Sequence, residues 1–215
     1  MLSRNIKLVF STNALMLCSG VVTGLLSAWA LGPTGRGDLM VILMWPAIFS
    51  MVAQVGLPQA FRYWVAKRPE CGSALFSNAV IVTVVGGLLV LVFAELIIPY
   101  LIGERSPEVM RLVRIYAVII PLTFITDFMR TLLEGARKFG WVGGVRLTFF
   151  AVQLTGFVVL WFLADLTVAN ATYIMIASYL VSMIFALIAV WREFAPSWEP
   201  RVSELRNAMR FGLRD

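Results

Sequence analysis

Residues Ala74–Tyr100 read ALFSNAVIVTVVGGLLVLVFAELIIPY, with Glu95 the one charged side chain in the run. As a helix at 1.5 Å per residue this run is roughly 40 Å long, enough to cross a hydrocarbon core of about 30 Å. A barrel strand would be about 10 residues long and would alternate apolar with polar, which this stretch does not. Working outward, five more runs of similar character lie near Phe10–Leu31, Leu39–Phe61, Leu112–Leu133, Val145–Ala164 and Val168–Trp191, each bounded by charge or by Gly/Pro. The 215-residue chain is 60% apolar and 14% charged, against about 45–50% and 25% in soluble domains. The sequence therefore predicts an all-α membrane protein, a six-helix bundle filling residues 1–194. The first run is too long for a signal-peptide core, and Leu31-Gly32-Pro33-Thr34 lacks a small-x-small cleavage site.

The basic residues report orientation rather than nucleic acid. Fourteen of the eighteen lysines and arginines fall at the N-terminus, in the second and fourth connections and after the sixth run. Arg36, Arg105, Arg111 and Arg114 occupy the opposite side. By the positive-inside rule both termini are expected in the cytoplasm. Trp29 and Trp161 mark the outer interface, while Trp64, Trp141 and Trp191 mark the inner one. With no histidine in the chain, His-based triads, zinc sites and proton shuttles are excluded. Cys18 and Cys71 make neither a disulfide framework nor a metal-ligand spacing. No Walker loop, dinucleotide fingerprint or pair of catalytic carboxylates appears. We expect no enzyme activity, no cofactor and no metal.

Several polar positions within the runs have two readings. Thr12, Ser19, Thr23 and Ser27 share one face with Gly20 and Gly24 nearby, which fits close helix packing or a polar cavity lining. Asn13 is the bulkier amide of that run. In the second run Ser50, Gln54, Pro58 and Arg62 recur every four residues, beside Pro46 and Gln59. This is either an ordinary kink with Arg62 snorkelling to the interface, or a helix that lines a wet passage and bends. The fourth run holds Pro121, Asp127, Arg130 and Glu134. An ionisable group at the centre of a membrane helix costs on the order of 2.5–3.5 kcal/mol and faces a partner or a cavity. The spacing lets the three charges neutralise one another as an ion ladder, or lets Asp127 serve as a proton- or sodium-linked switch with Pro46, Pro58 and Pro121 as flexing points. Residues 195–215 read as a linker followed by a basic amphipathic helix, with Arg206, Arg210 and Arg214 toward anionic lipid.

Two stretches carry a resemblance. Leu31-Gly32-Pro33-Thr34-Gly35-Arg36-Gly37-Asp38-Leu39 and Val55-Gly56-Leu57-Pro58-Gln59-Ala60-Phe61-Arg62-Tyr63-Trp64-Val65-Ala66 resemble the opening of the bacterial polysaccharide-biosynthesis flippases. Those belong to the superfamily that also holds multidrug exporters and the lipid II flippase. Leu133-Glu134-Gly135-Ala136-Arg137 resembles the element closing their fourth span, and Leu205-Arg206 with Met209-Arg210-Phe211-Gly212-Leu213 the entry to their seventh.

The resemblance implies a transporter of two six-helix lobes, of which this chain is the N-terminal one and ends as a seventh span begins. It implies a cargo of polyprenyl-diphosphate-linked oligosaccharide moved by alternating access. Carried over, the substrate-binding residues are Asn13, Gln54, Gln59 and Arg62, with Arg36 at the outer mouth. A cargo with a polar head, negative charge and a lipid tail needs a wet groove, open sideways, that contains cations. The implied partners are membrane lipid, the lipid-linked glycan, and a second six-helix half or the polysaccharide polymerase machinery. A drug or cation exporter of the same superfamily and a non-transporting scaffold are the alternatives.

Overall fold

The computed structural model describes residues 2–54, 57–68, 72–103 and 106–194, which form seven helices with no strand among them. These are α1 (Leu2–Ala53), α2 (Leu57–Lys67), α3 (Gly72–Ile102), α4 (Pro107–Tyr116), α5 (Ile119–Gly135), α6 (Phe139–Phe162) and α7 (Val168–Phe194). Five helical stretches are long and apolar enough to cross a membrane: Phe10–Ala53, Leu75–Ile102, Pro107–Gly135, Phe139–Phe162 and Val168–Phe194. Large apolar side chains such as Leu17, Met51, Tyr100 and Phe162 are more than two-thirds exposed, as a lipid-facing surface requires. The protein is an all-α, multi-pass membrane protein.

The first of these stretches is 44 residues long, about twice what one crossing needs. Gly32 interrupts it with φ 64° and ψ −175°. Two neighbouring facts produce the break. Pro33 disfavours a helical residue before it, and glycine alone adopts positive φ without a Cβ clash. Packing shows that the chain reverses there. Trp29 stacks against Trp161 near the end of α6, and a Cβ on Gly35 would lie 3.4 Å from Val168 at the start of α7. Beyond the break, Ser50 meets Thr123 and Gln54 meets Asp127 on α5, which runs opposite to α6. The arm 33–53 therefore returns antiparallel to the arm 2–31. The connection read from the sequence as Leu31–Leu39 is one residue, Gly32, because Pro33 opens the next helix at once.

Two further breaks have the same origin. Pro121 has no N–H for the carbonyl of Ala117, and the helix parts there into α4 and α5. Ile120 N–H takes the Ala117 carbonyl instead, at 3.0 Å. Pro58 likewise stands four residues after Gln54, where the second arm of α1 ends in a turn before α2. Pro46, the third proline expected to bend the fold, lies inside continuous helix.

α5 is the centre of the bundle. Phe124, Phe128, Met129, Leu132 and Leu133 are buried on it against α2, α3 and α7. The close approach of α2 depends on Gly135, where an added Cβ would lie 2.8 Å from the Arg62 carbonyl oxygen and from Val65 Cβ. The first arm packs on α6 through Ser19, whose hydroxyl donates to the Phe150 carbonyl at 3.4 Å. Thr12, Ser19, Thr23 and Ser27 are all buried, so this face makes a helix contact. Gly20 and Gly24 have nothing within 4 Å of a built Cβ and lie off that contact. The basic amphipathic helix predicted within residues 195–215 lies outside the described residues.

Candidate functional site

A line of polar side chains runs along α5 and out to both arms of α1. Arg130 on α5 contacts Asp127 three residues earlier at 3.0 Å and Glu134 four residues later at 3.6 Å. Gln54, at the end of the second α1 arm, donates from Nε2 to the Asp127 carboxylate at 3.0 Å. Arg62 on α2 reaches the other oxygen of Glu134 at 3.3 Å. One turn toward the other end, the Ser50 and Thr123 hydroxyls hydrogen-bond to each other. Each carboxylate thus has a guanidinium, which removes the large cost of an isolated charge at this depth. The Nε donor of Arg130 is buried with no hydrogen-bond partner among the described residues.

Asp127 stands where two cavities meet. One, of about 250 Å³, lies between the first α1 arm and helices α5, α6 and α7; Met16, Arg130, Arg146 and Phe149 are in its wall. The other, of about 360 Å³, opens toward the second α1 arm and is bounded by Ala47, Ser50, Gln54 and Gln59. Thr123, Asp127 and Tyr179 belong to both. The first cavity holds two guanidinium groups, from Arg130 and Arg146, against the Asp127 carboxylate. Charged and hydroxyl side chains are thereby grouped beside apolar ones in this recess.

A third recess lies at the arginine-rich end of the bundle. α5 closes there with Arg137 N–H bonded to the Glu134 carbonyl at 3.0 Å and Lys138 N–H to the Leu133 carbonyl at 2.9 Å. This is a Schellman ending, in which the residue at the Arg137 position takes left-handed backbone and is usually glycine. Arg137 has φ 58°, a conformation that costs a side-chain-bearing residue on the order of 1–2 kcal/mol. Lys138 is tied to Glu193 at 2.6 Å, and Trp141 donates to the same carboxylate at 2.7 Å, bracing the turn against the end of α7.

The description of the polysaccharide biosynthesis protein family matches residues 3–214. The chain belongs to that family. The match covers both arms of α1, every helix of the bundle and all the residues of the polar line. No curated protein matches the chain, and neither does any solved structure. Family membership agrees with the resemblance carried by the Leu31–Leu39 and Val55–Ala66 stretches and makes this a membrane protein of polysaccharide biosynthesis.

The residues named from sequence divide by place. Gln54, Gln59, Asp127 and Arg130 border the paired cavities, and Arg62 and Glu134 extend the line to the arginine-rich end. Asn13 is exposed and accepts from Arg146 at 3.4 Å across to α6, and it does not itself border the first cavity. Arg36 is exposed beside the Gly32 reversal, at the far end from Asp127, and borders neither cavity. Arg146, counted in the sequence with the basic residues of the fourth connection although it lies at the start of the fifth run, is inside α6, which starts at Phe139, and lines the first cavity. Tyr179 and Thr123 carried no signal in the sequence, because one tyrosine or threonine in an apolar run reads as packing.

Proposed function

We propose that this chain moves polyprenyl-diphosphate-linked oligosaccharide across the inner membrane, its six-helix lobe forming one wall of the path. The observation that carries the reading is the recess at Asp127, in which Arg130 and Arg146 outnumber one carboxylate. A diphosphate needs cations out of bulk water, and guanidinium groups bind phosphate oxygens bidentately. The glycan needs hydroxyl and amide partners, and Ser50, Gln54, Gln59 and Thr123 offer them in the adjoining cavity. The polyprenyl tail needs none and stays in lipid. The same charge balance argues against a cationic drug as cargo, for which Asp127 would have to stand free of Arg130.

In this reading the protein performs no covalent chemistry on its cargo and takes no cofactor. Asp127 couples transport to an ion gradient by exchanging Arg130 for a proton or sodium ion as the path closes, with the Pro121 and Pro58 breaks giving way. A second six-helix half or the polysaccharide polymerase machinery completes the path. The test is a chase of lipid-linked glycan across the membrane in cells lacking the protein. Accumulation on the cytoplasmic side, restored by the wild-type chain and not by Arg130→Gln with Arg146→Gln, supports flipping. Unimpaired crossing with new sensitivity to cationic dyes would assign the exporter role. Normal crossing with neither change, and with the charge variants silent, would leave a scaffold.

A further inference from the structure

We propose that the groove between α2 and the α5–α6 turn binds the phosphate group of an anionic membrane lipid, with Arg137 and Arg62 as its donors. The groove is about 490 Å³ and is bordered by Gln59, Arg62 and Tyr63 of α2, Glu134 and Arg137 at the end of α5, and Phe139 of α6. It is separate from the cavities at Asp127, with which it shares only Gln59 at the edge.

The charges around it do not cancel. Asp127 and Glu134 are matched by Arg130 and Arg62, and Lys138 is matched by Glu193. Arg137 makes no ion pair among the described residues. It also occupies the one position of the turn where backbone geometry favours glycine, φ 58°. The turn's hydrogen bonds fix that backbone and leave the exposed Arg137 guanidinium free to take an anion. Arg62 is half-exposed and bound to Glu134 at 3.3 Å, a distance long enough that a phosphate can draw it away. Glu134 then keeps Arg130. Two guanidinium groups converging on one groove are the usual arrangement for phosphate recognition.

A lipid phosphate fits better than a free one because of where the groove sits. It opens at the arginine-rich end, where Trp64 and Tyr63 lie beside Lys67 and Arg68, the Lys67 ammonium 5.7 Å from the Trp64 ring. Aromatic and basic side chains interleaved in this way mark the headgroup level. Phe139 and the tyrosine ring give the groove apolar walls toward the acyl region. The inference does not rest on the identity of the transported cargo.

The experiment uses the full chain in a neutral detergent, titrated with dioctanoyl phosphatidic acid while tryptophan fluorescence is followed. Parallel titrations use dioctanoyl phosphatidylcholine and inorganic phosphate. Saturable binding of phosphatidic acid is expected, weakened at least tenfold by Arg137→Gly and by Arg62→Gln, with phosphatidylcholine showing no saturation. Arg137→Gly relieves the left-handed strain, so its thermal midpoint should equal or exceed the wild-type value while binding falls. Should that variant lose stability, Arg137→Gln makes the same comparison. Unchanged binding in either Arg137 variant overturns the proposal, and so does inorganic phosphate competing as well as the lipid. Lost flipping with lipid binding intact would count against the transport reading alone.

Discussion

Gln54 donates a hydrogen bond to Asp127 over 3.0 Å, and this bond joins the end of the second α1 arm to the middle of α5. Gln54 is the last described residue of the second α1 arm, four residues before Pro58. Asp127 lies six residues beyond Pro121 on α5. The Ser50–Thr123 pair repeats the contact one turn away, so the arm and α5 run side by side in one register. Asp127 is thereby tied to the residue that precedes the α1–α2 turn.

Gln54→Leu removes a donor to a half-buried carboxylate and should destabilise the fold by about 1–2 kcal/mol. In a double-mutant cycle with Asp127→Ala the two losses should fail to add, with a coupling of about 1 kcal/mol. Reversible unfolding in mixed micelles measures both. Additive effects would show that the bond contributes nothing to the folded state.

Asp127→Asn keeps the shape of the side chain and can still accept from Gln54, but it cannot exchange a proton or pair fully with Arg130. With its partner half present, it should abolish gradient-driven transport while insertion and abundance stay at wild-type levels. Glycan flux against an imposed pH or sodium gradient is the readout. Normal flux with the usual gradient dependence would return Asp127 to a purely structural ion ladder.

Gly135→Ala places a Cβ 2.8 Å from the Arg62 carbonyl and from Val65 Cβ, and neither is the far end of a flexible side chain. α2 must move off α5, at a cost of roughly 1–3 kcal/mol. The displacement also separates Arg62 from Glu134. Lower thermal stability together with a raised reactivity of a cysteine at Ala66 would confirm both effects, whereas wild-type stability would mean that α2 is not seated on α5 in the membrane.

Orientation is tested by thiol labelling in a Cys18→Ala background. Cys71, and a cysteine replacing Lys138, should react with an impermeant reagent only after the cells are opened. A cysteine replacing Ser106 should react in intact cells. The opposite pattern would invert the bundle.

The membrane class was open to reading from the sequence alone, because hydrocarbon admits no unpaired backbone and so demands long uncharged helices. Ala74–Tyr100 needs no neighbour to be read this way. The spacing of Asp127, Arg130 and Glu134 likewise foretold mutual neutralisation, since residues three and four apart always share a helix face. Partners across helices are another matter. Gln54 and Asp127 are 73 residues apart, and their meeting depends on how tightly α2 and α5 approach at Gly135 and on the reversal at Gly32. Arg146 shows the limit most clearly. As sequence it is one more basic residue near the inner surface, and only the packing of α6 beside the first arm of α1 turns it into the cavity. Arg137 is similar, because left-handed backbone at the end of α5 comes from the turn's hydrogen bonds and not from any preference of arginine. Local chemistry therefore determined which segments are helices and which side chains carry charge. The tertiary fold decided which charges are left unmatched, because charge pairing depends on distances that no stretch of sequence contains.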